Sequence, residues 1–323
     1  MTASHSIVVS LRKSGTHLMK EVMTRLGYSL YGEVSASADA QPKVAGETLW
    51  RVLTVIYEDE ELRRLTAIED PTVVDAALSE AVAALYGSWR IRLGIPWRGP
   101  AHEAPPRELV AKTLARSTAH TFADTPPGVC WFLHQLDPLN TDDGFLSEWL
   151  DTGSPRVIFN YRDPRDVLLS MVNFLSSETG RGVGHFTDHR LYSGILRSTA
   201  SFEDRLTVAI TDPYFPGADA FERGLWLLRH PAVCNVSFEE LVGPRGGGSR
   251  EHQSAAVARI AGFVDADGAQ GHAAAAIADE LFNDQAYSFH KGRIGAWREY
   301  FTPEHERLFE ERYGTVLDAY GYC

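Results

Sequence analysis

The chain has little cysteine: Cys130, Cys234 and Cys323 are the only three in 323 residues. They are too few and too scattered for a disulfide framework or a zinc ligand set. Long hydrophobic runs are missing as well, and nothing approaches the ~18 apolar residues that span a bilayer. The early run from Ser6 to Leu11 is too short for the apolar core of a secretory leader and is followed at once by Arg12 and Lys13. Positive charge is in deficit, with 31 Lys and Arg against 43 Asp and Glu and a formal net charge of −12. That balance argues against broad nucleic-acid binding, which needs summed positive charge to displace counterions from phosphates. These absences predict a soluble protein of a reducing, cytoplasmic compartment, without nucleic-acid partners or membrane insertion. A local basic pocket for a small anion stays open.

What is present is ordinary globular chemistry, 44% hydrophobic and 23% charged. Ile7 to Leu11 is short, β-branched and bounded by polar residues, as in a strand buried on both faces. Arg12-Lys13-Ser14-Gly15-Thr16 follows, and then Leu18, Met19, Val22, Met23 and Leu26 recur at helical spacing up to Gly27. Further strands are expected at 129–133, 156–161 and 234–238. Asp70-Pro71, Asp163-Pro164 and Thr302-Pro303 open helices, each a capping residue followed by proline. Strands alternating with helices predict an α/β fold, a doubly wound and mostly parallel sheet flanked by helices. A single domain over 1–323 is expected, with a variable helical insertion at about 34–127. Residues 180–217 read as an irregular, lid-like segment, and Pro244 to Ser249 as a flexible surface connection.

Three segments carry chemistry. At Lys13-Ser14-Gly15-Thr16-His17 a glycine permits close backbone approach, the hydroxyls add donors, and a helix N-terminus and a lysine add positive charge. The lysine precedes the glycine, so this is not the G-x-x-x-x-G-K-[ST] phosphate loop, and a merely capped helix fits the segment equally well. Tyr161-Arg162-Asp163-Pro164-Arg165-Asp166 ends a strand, with Ser170 two turns into the next helix. Arg162 could fork onto a phosphate and Ser170 could donate to it, or the run could be a surface ion-pair cluster. Phe289-His290-Lys291-Gly292-Arg293-Ile294-Gly295-Ala296-Trp297 combines backbone freedom with cationic side chains, which suits a loop around an anion.

In this order the three segments resemble the motifs of the cytosolic-type sulfotransferases. The family's P-K-S-G-T-T-W is similar to Lys13 to Thr16. Its Y-x-x-R-N-P-x-D-x-x-x-S is similar to Arg162, Pro164, Asp166 and Ser170, and its R-K-G-x-x-G-D-W to Lys291, Gly292, Gly295 and Trp297. The resemblance implies a P-loop-NTPase-like α/β domain around a roughly five-stranded parallel sheet, with helical insertions forming an acceptor pocket. It also implies 3′-phosphoadenosine 5′-phosphosulfate (PAPS) as donor, adenosine 3′,5′-bisphosphate as product, and no obligatory metal. Lys13, Ser14, Gly15, Thr16 and His17 would then hold the 5′-phosphosulfate. Arg162, Ser170 and the His290-Lys291-Gly292 loop would hold the 3′-phosphate, and Phe238 would lie near the adenine. Arg12, His17, Leu18, His290 and Ala296 depart from the family pattern, so another adenine derivative stays compatible with the sequence.

The family's base is a histidine at the end of the strand before the second motif, and His134 stands there. An imidazole, whose ordinary pKa is near neutrality, suits taking a proton from an acceptor hydroxyl, with Lys13 charging the leaving-group side. His17 could supply a missing charge or compete as the base. His185 and His189 flank Asp188 at a spacing that would suit a metal on a helix, but the surrounding glycines suggest a loop. The expected reaction is sulfuryl transfer from PAPS to a hydroxyl of a small or medium-sized molecule. An alanine-rich, arginine-over-lysine composition is compatible with bacterial natural-product biosynthesis. A nucleotide-dependent phosphotransferase and a non-catalytic adenosine-nucleotide-binding protein are the alternatives. Trp89, Trp97 and Tyr192 are candidates to line the acceptor pocket or simply to fill the core.

Overall fold

A computed structural model of the chain describes residues 4–33, 44–95, 104, 106–116, 120–177, 186–265, 272–281 and 292–323. Five parallel strands, β1 (Ser6–Ser10), β2 (Ser29–Gly32), β3 (Val129–Leu133), β4 (Arg156–Tyr161) and β5 (Val233–Ser237), form one sheet in the order β2-β3-β1-β4-β5. Side chains alternate between the two faces of the sheet. Ile7 and Val9 of β1 face one side with Trp131, Leu133, Val157 and Phe159, while Val8 faces the other with Cys130, Phe132 and Ile158. Both faces are therefore apolar, and both are covered by helices, as a parallel sheet requires.

Helices α1 (Thr16–Arg25), α12 (Arg250–Phe263) and α13 (His272–Asp279) cover the face of Val8. The opposite face receives α2 (Gly46–Ile56), α4 (Pro71–Arg92), α6 (Asp143–Thr152), α7 (Pro164–Ser176), α8 (Thr187–Ser198), α9 (Phe202–Thr211), α10 (Leu225–Arg229) and α14 (Pro303–Tyr320). Helices α3 (Asp59–Thr66) and α5 (Arg107–Ala115) pack on α4, and the single turn α11 (Phe238–Leu241) follows β5. The expected caps form: Asp70, Asp163 and Thr302 each accept a backbone N–H of the helix they precede.

Residues 29–32, to which the sequence assigned no element, form a strand docked on β3 at the sheet edge. Two sequence expectations are corrected. The segment from 187 onward is not irregular but forms α8 and α9, whose buried Leu196, Leu206, Ala209 and Ile210 tie them to the core. The Pro244–Gly246 turn is no loose connection, because Gly246 is buried and its carbonyl accepts the Ile294 N–H at 3.0 Å. A Cβ on Gly246 would meet the Gly292 carbonyl oxygen at 2.4 Å, so only glycine allows this approach.

Candidate active site

The strand order places β1 between β3 and β4, so chain connections leave β1 in opposite directions. In open parallel sheets the crevice for ligands lies at that point, outside the carboxyl ends of the strands. The segments singled out in the sequence begin there: 11–17 after β1, His134 after β3, Arg162 after β4 and Phe238 after β5.

The turn after β1 is built inward. Lys13 adopts a left-handed backbone with φ 64°, and Gly15 follows at φ 89°. Ser14 is fully buried; its backbone N–H and its hydroxyl both donate to the Leu11 carbonyl, at 3.1 and 2.5 Å. The Thr16 hydroxyl lies 2.8 Å from Ser10 Oγ, which donates to Asn160 Oδ1 at 2.9 Å. The two hydroxyls expected to face an anion thus lock the turn to the strand ends. Outward, α1 starts with a glycine that has no capping side chain, and its first bond runs from the Met19 N–H to the Gly15 carbonyl. The N–H groups of Thr16, His17 and Leu18 before it carry the partial positive charge of the helix end.

Lys13 lies beside this end with Nζ 4.6 Å from the Phe174 ring centre. Desolvation, and then the Arg162 guanidinium, push its pKa down to about 8. His17 sits at the exposed rim of the turn. Desolvation of its ring and the charges of Lys20 and Lys13 hold its pKa down to about 4.

His134 lies one residue past β3. Its Nδ1–H donates to the Ser10 carbonyl at 2.9 Å, and its backbone N–H donates to Glu33 Oε2 at 2.6 Å. A carbonyl can only accept, so the ring proton is on Nδ1 and the basic lone pair on Nε2.

Arg162 is buried. It donates to the Lys13 carbonyl at 3.3 Å and the Arg293 carbonyl at 2.8 Å, pairs with Asp166 at 3.3 Å and lies 4.2 Å over the Phe238 ring. It bridges the first turn to the loop of the third segment, and its Nε is buried with no partner among the described residues. Asp166 and Ser170 follow on one face of α7, one turn apart. Asp166 accepts the N–H groups of Gly295 and Trp297 at 2.8 and 2.9 Å, and Asp163 accepts Trp297 Nε1–H at 3.1 Å. The second and third segments are thereby one structure. Gly292 belongs to it with φ 53°. His290 and Lys291 lie outside the described residues, as do Trp97 and His185. Phe238 fills the space next to Gly15.

Other readings resolve simply. Trp89 packs edge-on against Phe122 and Phe145 in the core. Tyr192 is buried with its hydroxyl donating to Asp212 at 2.8 Å. Cys130 and Cys234 are buried in strands, where burial pushes both thiols up and away from thiolate chemistry. Asp188 pairs with Arg12 at 2.8 Å. No helix among the described residues is long and apolar enough to cross a membrane.

Sequence reasoning missed Asn160, which receives Ser10 and Ser14 and donates to the Val236 carbonyl at 3.3 Å. Its signal was a lone amide in an otherwise apolar strand. Glu33 gave no signal at all.

The sheet and its crevice define a protein with the sulfotransferase fold. The particular likeness is to mouse sulfotransferase SULT7A1, solved in complex with PAP. Its TM-score is 0.51 at 16% identity, over 97% of this chain and 84% of that one. Two structures of retinol dehydratase are also similar. One, with androsterone and the inactive cofactor PAP, has TM-score 0.48 and 15% identity over 98% and 81% of the two chains. The other, with retinol and PAP, has TM-score 0.47 and 16% identity over 98% and 82%. The sequence matches no protein-family model and no curated protein.

Proposed function

We propose that the protein is a PAPS-dependent sulfotransferase acting on a hydroxyl of a small or medium-sized molecule. The observation that carries this reading is the junction at Ser10. Its hydroxyl binds Thr16 of the anion-binding turn and its carbonyl orients His134, so base and turn share one anchor. The donor, when bound, supplies an activated sulfuryl group. The uncapped start of α1 and Lys13 are assigned to its phosphosulfate end. Arg162, through its unpartnered Nε–H, is assigned to the 3′-phosphate side, together with Ser170 and the segment 290–292. Phe238 belongs to the wall between the two.

His134 Nε2 takes the acceptor's hydroxyl proton as the acceptor oxygen bonds to sulfur. The bond from sulfur to the leaving phosphate oxygen breaks on the opposite side, and Lys13 and the α1 amides stabilise the charge that develops there. No proton donor to the leaving group is needed, because that phosphate is a stable anion at neutral pH. Nothing in this chemistry calls for a metal. A cytoplasmic location and a part in natural-product biosynthesis fit the reading. Incubation with PAPS and a panel of phenols and alcohols, followed by mass spectrometry, tests it; transfer by the wild type and much slower transfer by His134→Ala is expected. Tight adenosine 3′,5′-bisphosphate binding without transfer to any acceptor would favour a non-catalytic nucleotide binder instead.

A further inference from the structure

His189, in the first turn of α8, stands apart from the other described histidines. It is 6% exposed, and both Nδ1 and Nε2 are buried without a hydrogen-bond partner among the described residues. A neutral imidazole has one donor and one acceptor to satisfy, and orphaning both inside a protein is costly. Such a pair of vacancies points to a partner that arrives from outside.

The position fits. Arg12, next to Lys13 in the turn, pairs with Asp188 at 2.8 Å and so fixes the start of α8 against the anion-binding turn. The Lys13 ammonium lies over the ring of Phe174, and that ring meets His189 edge-on with centres 5.6 Å apart. Phe186 meets it from another direction, with ring centres at 4.9 Å. His189 is also within electrostatic reach of both Lys13 and His134. Through the Phe174 ring and the Arg12–Asp188 pair it is thus tied to the turn that carries Lys13.

We infer that His189 is a specificity residue that hydrogen-bonds a second, uncharged polar group of the acceptor, beyond the hydroxyl that is sulfated. The acceptor class follows from its neighbours: a largely apolar or aromatic skeleton against Phe174 and Phe186, carrying a further hydroxyl or carbonyl at a distance from the reacting one. A second base is excluded by magnitude. Desolvation and the Arg12 charge hold the ring down to about 3, so it stays neutral at physiological pH and is a far weaker proton acceptor than an ordinary histidine. A carboxylate at this position would call for an imidazolium, which the same surroundings oppose. Arg12 is already neutralised by Asp188 and offers no replacement charge.

This inference rests on the sulfotransferase reading, and the experiment separates the two. Sulfation by PAPS of a naphthol, a dihydroxynaphthalene and a hydroxynaphthoic acid is compared for wild type, His189→Gln and His189→Phe. Bisphosphate affinity by calorimetry and melting temperature are measured alongside. A neutral hydrogen bond to a buried partner is worth about tenfold in kcat/KM. Wild type is expected to favour the dihydroxynaphthalene over the naphthol by about that factor and to disfavour the acid. His189→Phe should bring the diol-to-naphthol ratio close to one, mainly through KM. His189→Gln, which keeps a donor and an acceptor, should retain most of the preference. Bisphosphate affinity should stay within about twofold in both variants, since His189 is not assigned to the nucleotide. An unchanged ratio in His189→Phe or an equal loss on both acceptors would overturn the inference alone, whereas wild-type bisphosphate binding with no transfer to any of the three would favour the non-catalytic nucleotide binder and overturn the inference with the function. Absence of both bisphosphate binding and transfer in the wild type would overturn the function itself and this inference with it.

Discussion

Ser10 and His134 are joined by a 2.9 Å hydrogen bond from the ring Nδ1–H to the strand-end carbonyl. The bond does two things at once. It selects the tautomer whose lone pair is on Nε2, and it holds the ring on the ledge from which the anion-binding turn departs. Ser10 itself is fully buried and tied to Asn160, so this anchor does not move independently of the sheet.

Replacement of His134 should therefore affect chemistry far more than binding. His134→Ala is expected to lower kcat for sulfuryl transfer by about 10²–10⁴, the usual contribution of a positioned base. Adenosine 3′,5′-bisphosphate affinity should change by less than about threefold, because no assigned nucleotide contact is lost. Steady-state kinetics with calorimetry on the same preparation checks both. Equal losses in both quantities would remove His134 from the role of base.

Lys13 makes donor-site binding sensitive to pH in a stated direction. Its ammonium is held down to about 8 by desolvation and by Arg162. A bound bisphosphate brings negative charge beside the ammonium and raises that pKa, so binding takes up a proton once the free protein has lost it. Affinity should be near its maximum below pH 8 and fall towards tenfold per unit above it. The phosphates are already ionised in that range and do not contribute. Lys13→Ala should bind more weakly and lose the slope between pH 7.5 and 9.5. A wild-type affinity that stays flat across this window would contradict the assignment.

Asp166 joins three of the site's parts. It pairs with buried Arg162 and receives the N–H groups of both Gly295 and Trp297. Asp166→Ala strands a guanidinium and two amides in a buried position, a loss of about 3–5 kcal/mol. Thermal unfolding should drop by at least about 6 °C, on the scale of 2–4 °C per kcal/mol for larger domains. Asp166→Asn, which keeps an acceptor oxygen, should lose less. A change of under about 2 °C in the alanine variant would show that this loop is held by something else.

How far the sequence reveals all this depends on which physical signal each part leaves. Strands β1, β3, β4 and β5 are legible because burial on both faces demands unbroken apolar runs such as Val129-Cys130-Trp131-Phe132-Leu133. The edge strand β2 has four residues, of which only Tyr31 and Gly32 are buried, and no periodicity can emerge from so short a piece. Helices α8 and α9 hid behind a polar composition, since their stability comes from one buried stripe against α7 and the core rather than from propensity. In the site, residue identities were legible and directions were not. Ser14 and Thr16 are at the expected places, yet their hydroxyls turn to Leu11 and Ser10. Arg12, read as a departure from a motif proline, proved to be the tether of α8 through Asp188.

The last prediction concerns Gly15, where two constraints act on one atom. Its φ of 89° lies in the left-handed region, where a side chain costs about 1–3 kcal/mol. A Cβ there would also stand 2.7 Å from Cδ2 of Phe238, inside any acceptable contact. Phe238 cannot withdraw easily, because its ring lies under the Arg162 guanidinium. Gly15→Ala must then push α1 away from Phe238 or rotate the turn, and either movement shifts the uncapped amides assigned to the phosphosulfate. Bisphosphate affinity should fall by tenfold or more. The two causes separate in a double variant: Gly15→Ala with Phe238→Ala relieves the clash but not the backbone strain. It should regain part of the loss relative to the sum of the two single changes, a coupling that a double-mutant cycle in binding free energy reads directly. Strict additivity would mean that the close approach of this ring is not what positions the turn.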